Sequence, residues 1–305
     1  MSLTLLNASQ FQNSVMDYFT QRIKTLEKLH LRSANLIDDV RWQSFFIAHG
    51  GLLESLRLEF LDVFFTLDTI KVMVSQCKRL KSLRLEHLNH LTDDDAICEL
   101  SKLKKLEHFT VRLGHDVTSQ SLVALIEAIG KNLRTLAIKD CACLDRSVLI
   151  AIRTNCHRIT HLKLTGADKF SFSEFSTLFT NWQNPPLTKI DLSTVGTFNT
   201  GAKSDEDMGV AGTHDTLESL MIHSGNRLEK LDLHSCRPIN HAALCSAFTE
   251  VVTYPRLEKV DLSFIQDVDD FIVGSIARCC PKLEFLTVSL LASFCRVVLS
   301  ARMFK

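Results

Sequence analysis

Ten segments of the chain repeat one apolar pattern, L-x-x-L-x-L or a close variant, at nearly constant spacing. They start at Leu26 (LEKLHL), Leu53 (LESLRL), Leu80 (LKSLRL), Leu106 (LEHFTV), Leu133 (LRTLAI), Ile159 (ITHLKL), Leu187 (LTKIDL), Leu228 (LEKLDL), Leu257 (LEKVDL) and Leu283 (LEFLTV). Successive starts lie 27, 27, 26, 27, 26, 28, 41, 29 and 26 residues apart. Nine intervals with a single exception are a designed period. A chain built this way folds as a stack of equivalent units, each contacting only its neighbours.

The segment Leu133–Cys156 shows what one unit contains. Leu136 and Ile138 alternate with polar or small residues, the period of a strand with one buried face. Leu144, Val148, Leu149 and Ile152 then follow at the spacing of a helix turned to one side. In Thr118–Ile129, Leu122, Leu125, Ile126 and Ile129 line one face in the same way, and Asp93 to Asp95 sit where acids favour the start of a helix. The pattern is that of a leucine-rich repeat. The expected fold is an α/β solenoid resembling the ribonuclease-inhibitor horseshoe, with 10–11 repeats of about 26–27 residues, a parallel sheet on the concave side and helices on the convex side. Truncating an inner residue, Leu136→Ala for instance, is expected to cost about 2–5 kcal/mol through the cavity it leaves.

The solenoid is expected over residues 1–288. The long interval carries STVGTFNTGAKSDEDMGVAGTHDT, rich in Gly, Ser, Thr and acid, and reads as a loop inserted at 194–215. Loop closure entropy grows slowly with length, so such an insertion is tolerated. The repeat's helix is expected to resume over Thr216–Ile222. Leu3 and Leu5 stand 26 positions before Leu29 and Leu31, so the chain is expected to begin inside a repeat. At the other end, residues 289–305 read as a divergent capping segment, with a closing helix formed through Leu290, Phe294, Val297 and Val298.

Composition narrows function. Lys plus Arg equals Asp plus Glu at 35 each, so no global charge draws the chain to nucleic acid or an anionic membrane. No apolar run approaches the ~18–20 residues of a membrane span. Ten cysteines without a secretory leader point to a reducing compartment, and their spacing is not that of metal sites. Cys77, Cys156 and Cys280 fall shortly before strands, and Cys141 and Cys236 just after them, which suits small buried hydrophobes. No G-x-S-x-G, phosphate-cradling glycine loop or H-E-x-x-H occurs. His234, Ser235, Cys236 and His241 lie close in sequence, but Cys236 occupies the repeat's structural cysteine position. No enzymatic activity, cofactor, metal or small-molecule ligand is expected.

The informative side chains are those pointing away from the core on each strand. They are Lys28, His30, Arg32; Ser55, Arg57, Glu59; Ser82, Arg84, Glu86; His108, Thr110, Arg112; Thr135, Ala137, Lys139; and His161, Lys163, Thr165. The character then changes to Lys189, Asp191, Ser193; Lys230, Asp232, His234; and Lys259, Asp261, Ser263. Arg57 and Arg84 should stack as neighbours on adjacent strands, and so should Asp191, Asp232 and Asp261. Like charges so placed are mildly destabilising unless a neighbouring column or a partner balances them. The expected partner contacts are Lys28, Arg32, Arg57, Arg84, Arg112, Lys139, Lys163, Asp191, Asp232 and Asp261. Charge reversal at Arg57 and Arg84 together should weaken binding. Aromatic side chains for base stacking are absent from the basic half of the face, which argues against sequence-independent single-strand binding.

Cysteine-bearing repeats of this length, strand then helix, resemble the F-box substrate receptors of cullin ubiquitin ligases. A closer resemblance lies in LIEAIGKNLRTL (Leu125–Leu136), LFTNWQNPPLTKIDLS (Leu178–Ser193), MIHSGNRLEKLDLHSCRPINHAAL (Met221–Leu244), YPRLEKVDLSF (Tyr254–Phe264) and VDDFIVGSIARCCPKL (Val268–Leu283). These strings look like the fungal Rad-seven type of nucleotide excision repair protein, from near residue 3 to about 288. The resemblance implies a nuclear, non-enzymatic subunit of damage recognition. It implies work beside a Swi/Snf-type ATPase and in a cullin–elongin ubiquitin ligase directed at another damage-recognition factor, with damaged DNA met through the complex. Against that resemblance two departures are expected: the absence of the family's upstream region, with its cysteine-bearing element and additional repeats, and a tail that differs from Ser289 onward. The alternative is an F-box receptor in cell-cycle or nutrient signalling. It would need about forty further residues of helix before the first repeat.

Overall fold

The computed structural model describes residues 1–61, 65–88, 93–167, 176–179, 182–195, 211–236, 239–249, 252–265, 268–290 and 293–299. The chain divides into two compact units, Met1–Lys139 with Asn155–Arg158, and Asp140–Thr154 with Ile159–Lys305. Strands and helices alternate in both, the α/β leucine-rich-repeat fold that the spacing requires.

In the first unit the strands are β1 (Ser2–Leu5), β2 (Lys28–Arg32), β3 (Ser55–Leu61), β4 (Ser82–Leu88), β5 (His108–Arg112) and β6 (Thr135–Lys139). Each pairs in parallel with the next, in a register that places the repeat's equivalent residues opposite one another. One apolar row runs Leu3, Leu29, Leu56, Leu83, Phe109, Leu136, and a second runs Leu5, Leu31, Leu58, Leu85, Val111, Ile138. From Leu29 and Leu31 onward these side chains are buried, whereas Leu3 and Leu5 are half-buried. A one-residue slip would turn every row to solvent, which is why the register holds.

Between the strands lie α1 (Asn13–Arg22), α2 (Asp39–His49), α3 (Leu67–Gln76), α4 (Asp94–Leu100) and α5 (Ser119–Ile129). Each buries one stripe, as with Leu122, Leu125, Ile126 and Ile129 of α5. Trp42, Phe45 and Phe46 of α2 form an aromatic cluster with Phe65 just before α3. The helix starts are tied from repeat to repeat. Asp39 accepts from the Thr66 backbone N–H at 3.1 Å and from its hydroxyl at 2.5 Å. Asp94 accepts from the same two groups of Thr118, both at 2.8 Å. A carboxylate in the first turn of one helix thus satisfies the entry to the next.

The second unit holds α6 (Arg146–Asn155), whose last residue falls to the first unit, followed by β7 (His161–Leu164), α7 (Ser176–Phe179), β8 (Lys189–Asp191), α8 (Ala211–Ser224), β9 (Lys230–Asp232), α9 (His241–Ala247), β10 (Lys259–Asp261), α10 (Asp270–Cys279), β11 (Phe285–Leu290) and β12 (Ser293–Leu299). From β7 to β11 the strands again pair in parallel in sequence order. Among the described residues no helix is long and apolar enough to cross a membrane.

Two expectations change here. The inserted loop was placed over 194–215, but α8 begins at Ala211. A helix once nucleated gains a hydrogen bond for each residue added, and no proline stops this one from extending toward the N-terminus. Residues 196–210 lie outside the described residues. The closing helix expected through Leu290, Phe294, Val297 and Val298 is a strand instead. Here β12 runs antiparallel to β11, with Leu286 opposite Leu299 and Val288 opposite Val297. Phenylalanine and paired valines favour a pleated surface, and β11 offers one that crosses the boundary drawn at residue 288. Residues 300–305 lie outside the described residues.

Six of the nine cysteines with described side chains are core residues. Cys77, Cys141, Cys156, Cys236, Cys279 and Cys280 are buried, while Cys98 is exposed and Cys143 and Cys245 are intermediate. Gly50 and Gly130, each at the end of a helix, explain part of that rule. A Cβ on either would come within 3.2 Å and 3.1 Å of the sulfur of Cys77 and Cys156, respectively.

Candidate functional site

Eight of the strands, β2 to β4 and β6 to β10, carry at or near their ends a backbone device that sequence alternation does not reveal. Ser33, Phe60 and His87 in the first unit, and Asp140, Gly166, Thr194, Ser235 and Phe264 in the second, have φ between 54° and 69°. Each directly follows the strand's third outward residue. The left-handed turn keeps the ladder going: the N–H of Ser33 donates to Glu59 O at 2.9 Å, and that of Phe264 to Ser289 O at 2.8 Å. Glycine and asparagine take this conformation readily, while bulky side chains do so at a cost of about 1–2 kcal/mol. Phe60 and His87 nonetheless occupy it. Because the turn breaks the two-residue period, Phe60 is half-exposed and Leu61 goes inward.

That turn brings aromatic rings to the end of the first unit's sheet, contrary to the expectation of none. The Phe60 and His87 rings stack, with centroids 4.0 Å apart and planes 10° apart. The Arg32 guanidinium lies over Phe60, 5.0 Å from its centroid. Arg112 Nη1 meets the His87 ring nitrogens at 2.8 and 3.0 Å.

Alongside this stack runs the arginine column. Arg57 and Arg84 are register partners, and so are Glu59 and Glu86. Glu59 Oε1 accepts from Arg57 Nε at 2.6 Å and lies 3.1 Å from Arg84 Nε. Arg84 Nε also comes within 2.6 Å of Glu86 Oε1, an ion pair off the angle of a hydrogen bond. Lys139 Nζ donates to Glu86 Oε2 at 2.7 Å. The glutamates are nearly buried, with side chains 7% exposed, whereas those of Arg57 and Arg84 are 39% and 35% exposed. Burial alone would raise the Glu59 carboxyl, but the Arg57 hydrogen bond and the charges of Arg57 and Arg84 hold it below the usual carboxylate range. Burial and the same arginines, with Arg32, depress His30. Lys28, at the start of β2, is exposed.

In the second unit the carboxylates take the central column: Asp191 faces Asp232, and Asp232 faces Asp261. Lys163 is held by Asp191 in a close ion pair, and Lys230 reaches Asp232 at 3.2 Å. Asp191 also accepts from the Ser193 hydroxyl at 2.7 Å, and Asp261 accepts from the Ser263 N–H at 2.9 Å. The two paired aspartates diverge. Burial would raise Asp191, but Lys163 and Ser193 bring it below its ordinary value. Burial and the adjacent Asp191 raise Asp232.

The sequence neighbours His234, Ser235, Cys236 and His241 form no reacting group. Cys236 is buried and donates to Leu192 O at 2.6 Å, and burial raises its thiol. A different trio resembles a nucleophile arrangement: the Cys245 sulfur lies 3.4 Å from His241 Nδ1, and His241 Nε2 lies 3.1 Å from Asp269. Burial and Asp269 raise the Cys245 thiol, the wrong direction for a nucleophile. The His241–Asp269 bond links the start of α9 to the cap of α10, as Asp39 and Asp94 link their helices, so its geometry is the repeat's own. Among the described residues no group of three or more His, Cys, Asp or Glu could hold a metal ion.

No family model matches the sequence. The DNA repair protein rhp7 of Schizosaccharomyces pombe is 26% identical over 289 residues, 94% of this chain and 48% of that protein. The DNA repair protein RAD7 of Saccharomyces cerevisiae is 22% identical over 294 residues, 94% of this chain and 49% of that protein. The chain therefore spans about half the length of the curated relatives it matches. Among solved structures, Rad7 in its yeast complex with Elc1 superposes with a TM-score of 0.64 at 16% identity, covering 96% of this chain and 78% of that one. Along nearly its whole length, the chain is similar to fungal DNA repair proteins of the Rad7/Rhp7 type.

Proposed function

We propose that the chain is a non-enzymatic interaction subunit of nucleotide excision repair, acting in the nucleus as scaffold or substrate receptor of a cullin-type ubiquitin ligase. The observation that carries this reading is likeness along 94% of the chain to two DNA repair proteins. The complex of Rad7 with Elc1 supports an elongin C-type partner. The other partners of this reading are a cullin, a Swi/Snf-type repair ATPase and, as substrate, a damage-recognition factor. Damaged DNA is met through the complex. The contact residues are Lys28, Arg32, Arg57, Arg84, Arg112 and Lys139 in the first unit and Lys163, Asp191, Asp232 and Asp261 in the second. Solenoids bind on the surface their strands expose, and paired charges fix register and exclude wrong partners.

The test is affinity purification of the tagged endogenous protein before and after ultraviolet damage, read by mass spectrometry. Recovery of elongin C, a cullin and a Swi/Snf-type ATPase is the expected result. Recovery of a Skp-type adaptor without them would replace this reading with the F-box one.

A further inference from the structure

The geometry points to Arg57 and Arg84 as a preformed oxyanion site, taking a carboxylate or phosphoryl side chain of an extended protein segment laid on the first unit's sheet. This inference rests on the reading of the chain as an interaction subunit and names the chemistry that its contact face would recognise. Both guanidinium groups meet their glutamates through Nε. Parallel strands lie about 4.8 Å apart, so two planar forks stand side by side on adjacent strands, close enough to share one oxyanion. The nearly buried glutamates hold both groups in place, Arg57 by a hydrogen bond and Arg84 by two close ion pairs, so binding orders little that is not already ordered.

A second observation lies beside the forks. His30 precedes them in the same column, and its Nε2 is buried without a hydrogen-bond partner. The groups facing His30 are Arg32 on its own strand, Arg57 and Glu59 on β3 and Arg84 beyond, while β1 presents Thr4. Burial and the neighbouring arginines depress His30, and an anion at the forks would offset the arginines' share of that depression.

The face favours protein over nucleic acid. Its six cationic residues from β2 to β6 are interleaved with the two glutamates instead of forming the uninterrupted run that neutralises a phosphate backbone. The ring faces that could hold a base are taken. Phe60 lies between Arg32 from the β2 side and His87 from the β4 side. An extended segment crossing the strands meets Lys28 and Lys139 as further cationic contacts.

The test is fluorescence anisotropy with labelled octapeptides alternating serine with glutamate, phosphoserine or glutamine, and with single-stranded and duplex oligonucleotides. The glutamate or phosphoserine peptide should bind at least tenfold tighter than the glutamine one, and whichever binds tighter identifies the source of the oxyanion. Arg57→Gln with Arg84→Gln should abolish that preference, while Lys189→Gln with Lys259→Gln should leave it intact. If the first pair fails to fold, the fourfold change adding Glu59→Gln and Glu86→Gln removes the whole charge network and should give the same loss. The imidazole resonances of His30, assigned through His30→Gln, should titrate at higher pH with peptide bound. Equal binding of all three peptides, no binding of any, a preference that survives the arginine changes, or tighter binding of either oligonucleotide would overturn the proposal. Peptide selectivity without recovery of repair partners from cells would leave this site standing and remove the repair reading.

Discussion

Each unit builds its own row of parallel strands, and the two set opposite charges in the central column of that row. In the first, arginines stand in the column and glutamates lie beneath them, nearly buried. In the second, aspartates form the column and lysines reach across from a neighbouring row or strand. From β2 to β6, six cations face two carboxylates, whereas from β7 to β10 four lysines face three aspartates. The difference teaches that the repeat dictates where a side chain points but leaves its charge open. The second unit comes within one charge of neutrality, while the first keeps an excess of four cations.

If only the faces differ, the cores should respond alike. Leu136 and Leu231 are both fully buried strand residues. Leu136→Ala and Leu231→Ala should each cost about 2–5 kcal/mol in denaturant unfolding. A far smaller loss at one site would mean that the repeats are not equivalent inside. The next effect separates the faces. Glu59→Gln removes a nearly buried carboxylate charge that pairs with two arginines and should cost about 1.5–3 kcal/mol, toward the lower end because the arginines are partly solvated. Asp191→Asn should cost less, since losing the Lys163 pair is offset by relief of Asp232. Equal costs would erase the distinction.

Smaller still is Asp232→Asn, which should stabilise the protein at neutral pH by about 0.2–1 kcal/mol by removing a like-charge neighbour. The pH dependence carries the sign. Because Asp232 is raised in the folded state, that state holds a proton the unfolded chain has released between the ordinary and the raised value. Stability therefore falls as pH rises through that window, and the advantage of Asp232→Asn should fade below it. Glu59 and Asp191 are lowered, so their contribution is complete above the ordinary carboxylate range and is lost as pH falls through their folded values. Thermal unfolding of Glu59→Gln, Asp232→Asn and the parent from pH 3 to 7 resolves the two signs. A parallel shift in all three would contradict the assignment.

Most of the scaffold was legible because a period-two strand pattern repeated every 26–29 residues, with one interval of 41, admits one register. The rows of Leu and Ile, the Arg57–Arg84 and Asp191–Asp232–Asp261 neighbours and the buried cysteines all follow from it. What was not legible depends on departures from that period. The left-handed residue at the ends of β2 to β4 and β6 to β10 has no fixed identity here, being serine, phenylalanine, histidine, aspartate, glycine or threonine. Nothing therefore signalled that Phe60 and His87 would stack. The end of the chain misled for a related reason. Leu290, Phe294, Val297 and Val298 fit a helical spacing, yet the neighbouring strand β11 lets the same residues pair as a hairpin. The depth of Glu59 and Glu86 was hidden too, because alternation marks outward residues without telling which of them their neighbours cover.

The central claim, that the first unit's arginine column takes part in partner recognition, is tested most directly by purifying the tagged protein from ultraviolet-treated cells in two charge-altered forms. Arg57→Gln with Arg84→Gln should lose the damage-recognition factor. Lys189→Gln with Lys259→Gln should retain it at the parental level, with both variants melting within a few degrees of the parent. Retention by the arginine variant, or equal loss from both, would contradict the account.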